Sequence, residues 1–222
     1  MRLKRQNERI LLVEGDDDKR VLPFLVESNG IIEWVSRDKP FVEIVACGSV
    51  DEVLKPGFIG TQLQGSDLQA LGVLVDADLD ANACWRRIKT QIQAQYPNAP
   101  DLLPSKGFVI QAAGLPKFGA WVMPDNTNRG MLETFLLHLR PASNTALLEL
   151  SKQVVSLARD AGATFIDAHR DKVQIHSWLA WQDPPGRQMH SAINERMLIE
   201  KSQLLTDFLD WFCELYDCQI EQ

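Results

Sequence analysis

The sequence predicts an α/β protein: a mostly parallel sheet flanked by helices, with an antiparallel edge hairpin and a C-terminal helical extension. Two observations support this fold class. Short apolar runs alternate with amphipathic stretches over the first part of the chain, as in folds built from parallel strands and helices. From Ala142 onward the pattern is helical only. At 222 residues and 45% hydrophobic content, the chain is long enough to bury a substantial core.

The first half contains three strand patterns, each followed by a helical one. "RILLVEG" predicts a buried strand, with a helix from about Asp16 to Ser28 after it. "FVEIVACG" predicts a second strand and leads into a short helix that Ser49 opens. "ALGVLVDAD" predicts a third strand. The helix "NACWRRIKTQIQAQY" follows, with four apolar residues on one side: Cys84, Trp85, Ile88 and Ile92.

The second half begins with two strands, "GFVIQAAG" and "AWVMPD", which "LPKFG" separates by a distance short enough for a hairpin. The helix "MLETFLLHLR" follows, and then three further helical patterns, the last being "SQLLTDFLDWFCELYDC". We therefore predict an α/β domain over residues 1–141 and a helical extension over 142–222 that packs on it, with a soft boundary. The apolar face of the last helix is either core or the surface of a homodimer.

Composition excludes several classes of protein. No segment approaches the roughly 18 apolar residues of a membrane-spanning helix, and the basic N-terminus lacks the apolar run of a signal peptide, so we expect a cytoplasmic protein without membrane contact. A net charge of -7 argues against nonspecific coating of nucleic acid by the whole surface. The four cysteines form no CxxC pair, so reduced thiols are expected.

Acidic residues end two of the predicted strands. Glu14 closes the first strand, and Asp76 and Asp78 close the third. Because the carboxyl ends of parallel strands meet at one edge of a sheet, and because residues at i and i+2 of a strand share a side, these three carboxylates are expected to converge. A cation would offset their repulsion, and oxygen-only ligand sets suit Mg²⁺ or Mn²⁺.

Other acids have a structural interpretation that stays open. Asp16, Asp17 and Asp18 open a helix, where the macrodipole and free N–H groups favour negative charge. Asp80 is expected to cap the helix after the third strand. Glu133 lies in the first turn of its own helix and has the same interpretation.

The stretch "LLVEGDDDKRVL", followed by "GVLVDAD", resembles the Toprim domain, in which a glutamate after the first strand precedes a DxD after a later one. The resemblance covers roughly Arg9 to Arg140. The family includes topoisomerase and primase modules, small ribonucleases, and nucleases of the overcoming-lysogenization-defect (OLD) type. The chain is most similar to small stand-alone Toprim proteins related to the OLD group, which implies a Rossmann-like sheet.

The resemblance implies roles for six residues. Glu14 matches the Toprim glutamate, a metal ligand or general acid/base, and Asp76 and Asp78 match the magnesium-binding DxD. In the nuclease branch, Asp18 and Glu133 match acids that help to hold a second metal. Lys172 in "DKVQIHSW" is a weaker candidate for the lysine near the scissile phosphate.

The resemblance also has departures. The related nucleases carry an ATPase module, but no GxxxxGK[ST] occurs here, so any control by ATP would require a partner protein. The expected function is a metal-dependent nuclease that acts on DNA or RNA with one or two Mg²⁺ or Mn²⁺ ions. Two alternatives stay open: a noncatalytic Toprim module that binds nucleic acid or protein, and a DxD phosphatase.

Overall fold

The computed structural model describes residues 7–30, 40–139, 145–198 and 201–220. Five strands form one sheet in the order β2-β1-β3-β5-β4. All neighbouring pairs are parallel except β4 and β5, which form the predicted antiparallel edge. The strands are β1 (Arg9–Val13), β2 (Glu43–Ala46), β3 (Ala70–Asp76), β4 (Phe108–Ile110) and β5 (Lys117–Met123).

Helices cover both faces of the sheet. In chain order, the described helices are α1 (Asp16–Glu27), α2 (Val50–Val53), α3 (Phe58–Leu63), α4 (Ala81–Ile92), α5 (Leu132–His138), α6 (Thr145–Asp160), α7 (Arg170–Ala180), α8 (Met189–Asn194) and α9 (Gln203–Tyr216), with a short 3₁₀ helix at Asp167–His169. Ser49 and Asp80 cap α2 and α4 as predicted, since their side chains accept hydrogen bonds from the N–H groups of Glu52 and Ala83.

The apolar residues of the strands alternate between two cores. Ile10 and Leu12 of β1 face a core that contains Trp85 and Ile88 of α4, whereas Leu11 and Val13 face the core on the other side of the sheet. That second core is formed with α1 and the later helices. It includes the buried aromatic residues Phe135, Trp178, Phe208, Trp211, Phe212 and Tyr216. The α/β fold class is confirmed.

The predicted helical extension packs on the sheet. Tyr216 of α9 is fully buried, and its hydroxyl donates a 2.8 Å hydrogen bond to the carbonyl oxygen of Ile10 in β1. Trp211 donates from Nε1 to the carbonyl oxygen of Phe108 in β4, at 3.2 Å. The apolar face of α9 is therefore part of the hydrophobic core of this chain and is not available as a dimer interface. The predicted boundary at residue 141 lies outside the described residues and stays a prediction.

Three local expectations need correction. Strand β5 begins at Lys117, inside the expected turn "LPKFG", because it pairs with β3 along its whole length, from Ala70–Lys117 to Asp76–Met123. The sequence patterns also gave no sign of α3 and α8, each of which spans only 6 residues.

None of the described helices is long and apolar enough to cross a membrane.

Candidate carboxylate site

The site lies where the chain reverses its direction of winding across the sheet. Strand β1 connects through α1 to β2 on one side, and β3 lies on the other side of β1. Ligand sites of open α/β sheets form outside the carboxyl ends of strands at such a switch point. Glu14 directly follows β1 and Asp76 is the last residue of β3, so both lie at this point.

Glu14 and Asp76 are joined through the backbone. The Asp76 N–H donates a 2.7 Å hydrogen bond to Oε1 of Glu14. The Asp76 carboxylate in turn accepts a 3.0 Å hydrogen bond at Oδ1 from the N–H of Leu132, in the first turn of α5. The first bond holds the Glu14 carboxylate at the end of β3, although 62 positions separate Glu14 from Asp76 in the chain.

Asp78 lies beyond the end of β3, and the alternation expected for a strand does not apply to it. Its φ of 50° is in the left-handed region. Its backbone is held by a two-bond bridge with Gly130, in which each N–H donates to the other residue's carbonyl oxygen at 3.0 and 3.1 Å. The residue is exposed, unlike the half-buried Asp76. Asp78 is thus placed at this edge by the segment before α5, and not by the pleat of β3.

Asp18 lies on α1, one turn beyond Glu14, and only 7% of its surface is exposed. Its Oδ2 accepts a 2.9 Å hydrogen bond from the N–H of Gly15. This contact closes the first turn of the helix. The same carboxylate lies close enough to Glu14 and Asp76 to affect the pKa of both.

Glu133 and Lys172 form an ion pair inside the site. Glu133, in the first turn of α5, is 2% exposed, and its Oε1 lies 2.9 Å from Nζ of Lys172 on α7. Lys172 also lies 3.5 Å from Oδ2 of Asp17. A further contact steadies this end of α7, because the Thr134 hydroxyl donates to Oδ2 of Asp171 at 2.7 Å. The positive charge of the site therefore comes from the helical extension.

Asp17 is the residue of this cluster that sequence reasoning left out. The charge pattern at the start of α1 is fully explained by the helix macrodipole, so it gave no reason to single out Asp17. Its partner Lys172 lies 155 positions further along the chain. Only the packing of α7 against α5 and the start of α1 brings the two side chains together.

Burial and mutual repulsion raise the pKa values of three carboxyl groups. Burial raises the pKa of Glu14 to about 7, and the nearby Asp18 and Asp78 add to the shift, while the hydrogen bond from Asp76 opposes it. Burial raises the pKa of Asp18 to about 6, with a contribution from Glu133. The pKa of Asp76 is raised well above its usual range by burial and by Glu14. Clusters of perturbed groups are typical of functional sites.

Lys172 responds in the opposite sense to its surroundings. Burial lowers its pKa, but the hydrogen bond and charge of Glu133, together with Asp17, outweigh burial and leave the pKa above its ordinary value. The ammonium group is therefore charged at neutral pH and offsets part of the negative charge of the cluster.

The donor chemistry of the cluster fits a hard divalent cation, because every side-chain ligand available from Glu14, Asp76 and Asp78 is a carboxylate oxygen. The raised pKa values of Glu14 and Asp76 show that negative charge is disfavoured there without a counter-ion. Over the described ranges, however, no three His, Cys, Asp or Glu side chains are grouped closely enough to hold a metal ion as they stand. Binding an ion would require the carboxylates to rotate toward one another.

Comparisons with known proteins show one family match and several distant structural similarities. The family model described as "Protein of unknown function (DUF3226)" matches residues 8–217. No curated protein matches the chain. Among solved structures, the C-terminal region of the Xanthomonas campestris pv. campestris OLD protein is similar at a TM-score of 0.40 and 14% identity, over 96% of this chain and 97% of that one. The C-terminal region of the Burkholderia pseudomallei OLD protein gives 0.43 and 11%, over 96% and 100%.

Proposed function

The chain belongs to the DUF3226 family, whose description names no activity, and we propose from its carboxylate site that it hydrolyses phosphodiester bonds of nucleic acid with a bound divalent cation, Mg²⁺ or Mn²⁺. One observation carries the proposal: Glu14, Asp18 and Asp76 are held together at the switch point of the sheet although burial and repulsion raise all three pKa values. Such an arrangement disfavours the ionised site without a ligand, so it needs a reason beyond stability.

Glu14, Asp76 and Asp78 would hold the cation, in agreement with the Toprim resemblance of "VEGDDD" and "DAD". When bound, a divalent ion stabilises charge on a phosphoryl oxygen and lowers the pKa of a coordinated water. Asp18 and Glu133, both buried, extend the acidic cluster toward α5, where a second ion would be held. Glu133 is already paired with Lys172, so it would have to leave that partner in order to contribute.

The remaining chemistry can be assigned to two side chains of the chain itself. In an arrangement where Asp76 and Asp78 hold a single ion, Glu14 is free of the metal, and with a pKa of about 7 it can exchange a proton near neutral pH, as a general acid or base must. The Lys172 ammonium, 2.9 Å from Glu133, supplies a fixed positive charge on the α7 side of the site. We assign it to the nonbridging oxygens of the phosphate that is cleaved, where negative charge develops.

A noncatalytic binding module remains the second candidate, and a specific observation favours it. The carboxylates are spaced too far apart to hold an ion as they stand, and the Lys172–Glu133 pair neutralises one of them. A site of this kind can recognise a ligand without turnover. A requirement for a partner protein, such as an ATPase, would give the same result in an assay of the isolated chain.

The test compares three proteins on supercoiled plasmid, single-stranded DNA and RNA, each with Mg²⁺ and with Mn²⁺. Wild type is expected to cleave at least one substrate, and Asp76→Ala/Asp78→Ala should be slower by a factor of about 100 or more, since the cation contributes several kcal/mol to the transition state. Asp80→Asn is the matched control. It removes the third acid of "DADLD" but keeps a good helix cap, so it should cleave like wild type.

The outcomes separate the candidates. Cleavage that is lost in the double variant and kept in Asp80→Asn ties the activity to the proposed ligands. Equal cleavage by wild type and the double variant would mean that a contaminant or another site is responsible. If wild type cleaves none of the substrates with either ion, hydrolysis by the isolated chain is wrong, and a binding module or an enzyme activated by a partner protein becomes the better explanation.

A further inference from the structure

A pocket of about 90 Å³ lies beside the carboxylate site, between α1, α7 and the start of α8. Its walls include four basic or imidazole side chains and one acid. They come from three separate stretches of the chain: Asp17 and Arg20 from α1, His176 from α7, and Arg187 and His190 from the last residues before α8 and its first turn. A local concentration of arginine and histidine side chains is unexpected in a chain whose net charge is -7.

Arg187 has a donor without an acceptor in this pocket. One terminal nitrogen of its guanidinium pairs with Glu195, and the other donates to the carbonyl oxygen of Asp183. Its Nε is buried and has no hydrogen-bond partner among the described residues. A buried donor left unpaired is unfavourable, and an acceptor from outside the chain would satisfy it.

Arg20 supplies a second cationic group that is available to a ligand. The residue is exposed, and within the described part of the chain no ion pair involves it. The acid of the pocket does not cancel this charge, because Asp17 is already paired with Lys172 at 3.5 Å. The pocket therefore offers an anion the Arg20 guanidinium and the unpaired Nε of Arg187, and guanidinium N–H groups are well matched to phosphate oxygens.

Asp17 links the pocket to the carboxylate site. Asp17 lines the pocket and contacts Nζ of Lys172, and the same Nζ lies 2.9 Å from Glu133 inside the site. A chain of phosphates that reached the site along α7 would thus pass the pocket as well. A single small anion would occupy only one of these two positions.

We infer that this pocket is a subsite for a backbone phosphate of a nucleic-acid strand whose neighbouring phosphate lies at the carboxylate site. The inference rests on the proposed function and adds to it a path for the substrate, along α1 and α7 toward Lys172. Arg20 and Arg187 bind the phosphate, and Asp17 keeps Lys172 oriented between the two positions. The recognition involves phosphates only, so it carries no base specificity.

The experiment measures binding of a fluorescent 12-nucleotide single strand, chosen as the probe, by full-length chains that carry Asp76→Ala/Asp78→Ala to prevent turnover. Adding Arg20→Gln should weaken binding about 5-fold, and should reduce the slope of log Kd against log salt by about 0.7, the value for one lost phosphate contact on a single strand. Lys19→Gln is the matched control. It removes the same charge one position away on the exposed part of α1, outside the pocket, and should change Kd less than about 2-fold.

Two further measurements complete the test. Arg187→Lys keeps a charge next to Glu195 but removes the Nε donor. It should also weaken binding of the single strand. In the otherwise wild-type chain, Arg20→Gln should raise KM for cleavage and leave kcat within about 2-fold, because the pocket binds substrate away from the reacting phosphate. Inorganic phosphate should compete with the strand only at millimolar concentration.

The failures of the two proposals can be told apart. Equal weakening by Arg20→Gln and Lys19→Gln, or no weakening by either, would overturn the subsite whether or not the protein cleaves nucleic acid. Strand binding that depends on Arg20 in a protein that never cleaves would support the subsite and remove the nuclease proposal. If Arg20→Gln changes the affinity for inorganic phosphate but not for the strand, the pocket binds a free anion and the inference is wrong.

Discussion

Strand β3 serves two different purposes along its length. In its middle, Gly72 lies against Tyr216 and Leu215 of α9, and the neighbouring side chains are fully buried. At its end, Asp76 lies among Glu14, Asp18 and Glu133, and its pKa is raised well above the usual range. The middle of the strand is thus shaped for close packing, and its end holds groups that oppose one another.

The difference shows where the fold is optimised for stability and where it is not. Side chains of α9 fill the space left by the missing side chain of Gly72, and Tyr216 donates a hydrogen bond to Ile10. Both contacts stabilise the protein. At the edge, burial of several carboxyl groups destabilises the ionised protein. Local conflicts of this kind are expected at functional sites and not in the interior of a fold.

The largest expected effect concerns the pH dependence of the edge in the absence of divalent ions. Glu14 has a folded-state pKa of about 7, above its ordinary 4.5, so the folded state binds this proton more tightly than the unfolded state does. Proton binding at Glu14 therefore contributes to folding stability. This contribution is fully present below about pH 4.5 and is lost as the pH rises through 7. For a shift of this size the loss is about 3 kcal/mol, and Asp18 acts in the same direction.

Urea unfolding in EDTA, compared at pH 5 and pH 8, measures this effect against Glu14→Gln. The amide keeps an oxygen acceptor for the Asp76 N–H but cannot ionise, so the variant should lose less stability than wild type between the two pH values. Adding Mg²⁺ at pH 8 should restore stability to wild type and have little effect on the variant. If wild type lost no more stability between pH 5 and pH 8 than Glu14→Gln does, the destabilising effect assigned to the ionised Glu14 would be wrong.

A smaller effect is expected in the middle of the strand. In Gly72→Ala the new Cβ would lie 2.7 Å from Cδ1 of Leu11 and closer still to the hydroxyl oxygen of Tyr216, which the hydrogen bond to Ile10 holds in place. Overpacking of this kind destabilises a protein by about 2 kcal/mol. The loss should be the same at pH 5 and pH 8, unlike the loss at the edge, and urea unfolding at both values measures it.

Gly60→Ala provides the control for Gly72→Ala. Gly60 lies inside α3, and a Cβ there would meet only the carbonyl oxygen of Gln91, at 3.4 Å. Alanine in a helix interior is favoured over glycine by about 0.5–1 kcal/mol, so this variant should be neutral or slightly more stable. If both substitutions had the same effect, the close packing of β3 under α9 would not be the cause.

The two regions differ in how far they could be predicted from sequence. The apolar runs that end in Glu14 and Asp76 predicted the strands and the edge where they meet, because parallel strands place their carboxyl ends together. The place of Lys172 could not be predicted in this way. Its contacts with Asp17 and Glu133 depend on how α7 packs against α1 and α5, and a lysine on a helix gives no signal of that packing.

The packing of the sheet was only partly predictable for the same reason. The apolar face of α9 is clear in the sequence, but its position over Gly72 depends on the tertiary fold, so both a core and a dimer surface were open. The left-handed backbone of Asp78 could not be predicted from the sequence either. It is stabilised by the bridge to Gly130, and this residue lies 130 − 78 = 52 positions further along the chain. Local patterns report the strands and caps, and they do not report contacts made at long range.

The smallest expected effect separates the acids of "DADLD" from one another. Asp80 lies in the same stretch as Asp76 and Asp78, but its Oδ1 accepts a 3.1 Å hydrogen bond from the Ala83 N–H and caps α4. Asp80→Ala should therefore destabilise the protein by about 1 kcal/mol at every pH, and Asp80→Asn should not, because asparagine caps a helix equally well. Thermal unfolding of the two variants with and without Mg²⁺ tests this role. A gain in stability on adding Mg²⁺ that is as large as that of wild type would show that Asp80 belongs to the helix. A gain lost in both variants would instead place this third acid among the ligands of the edge.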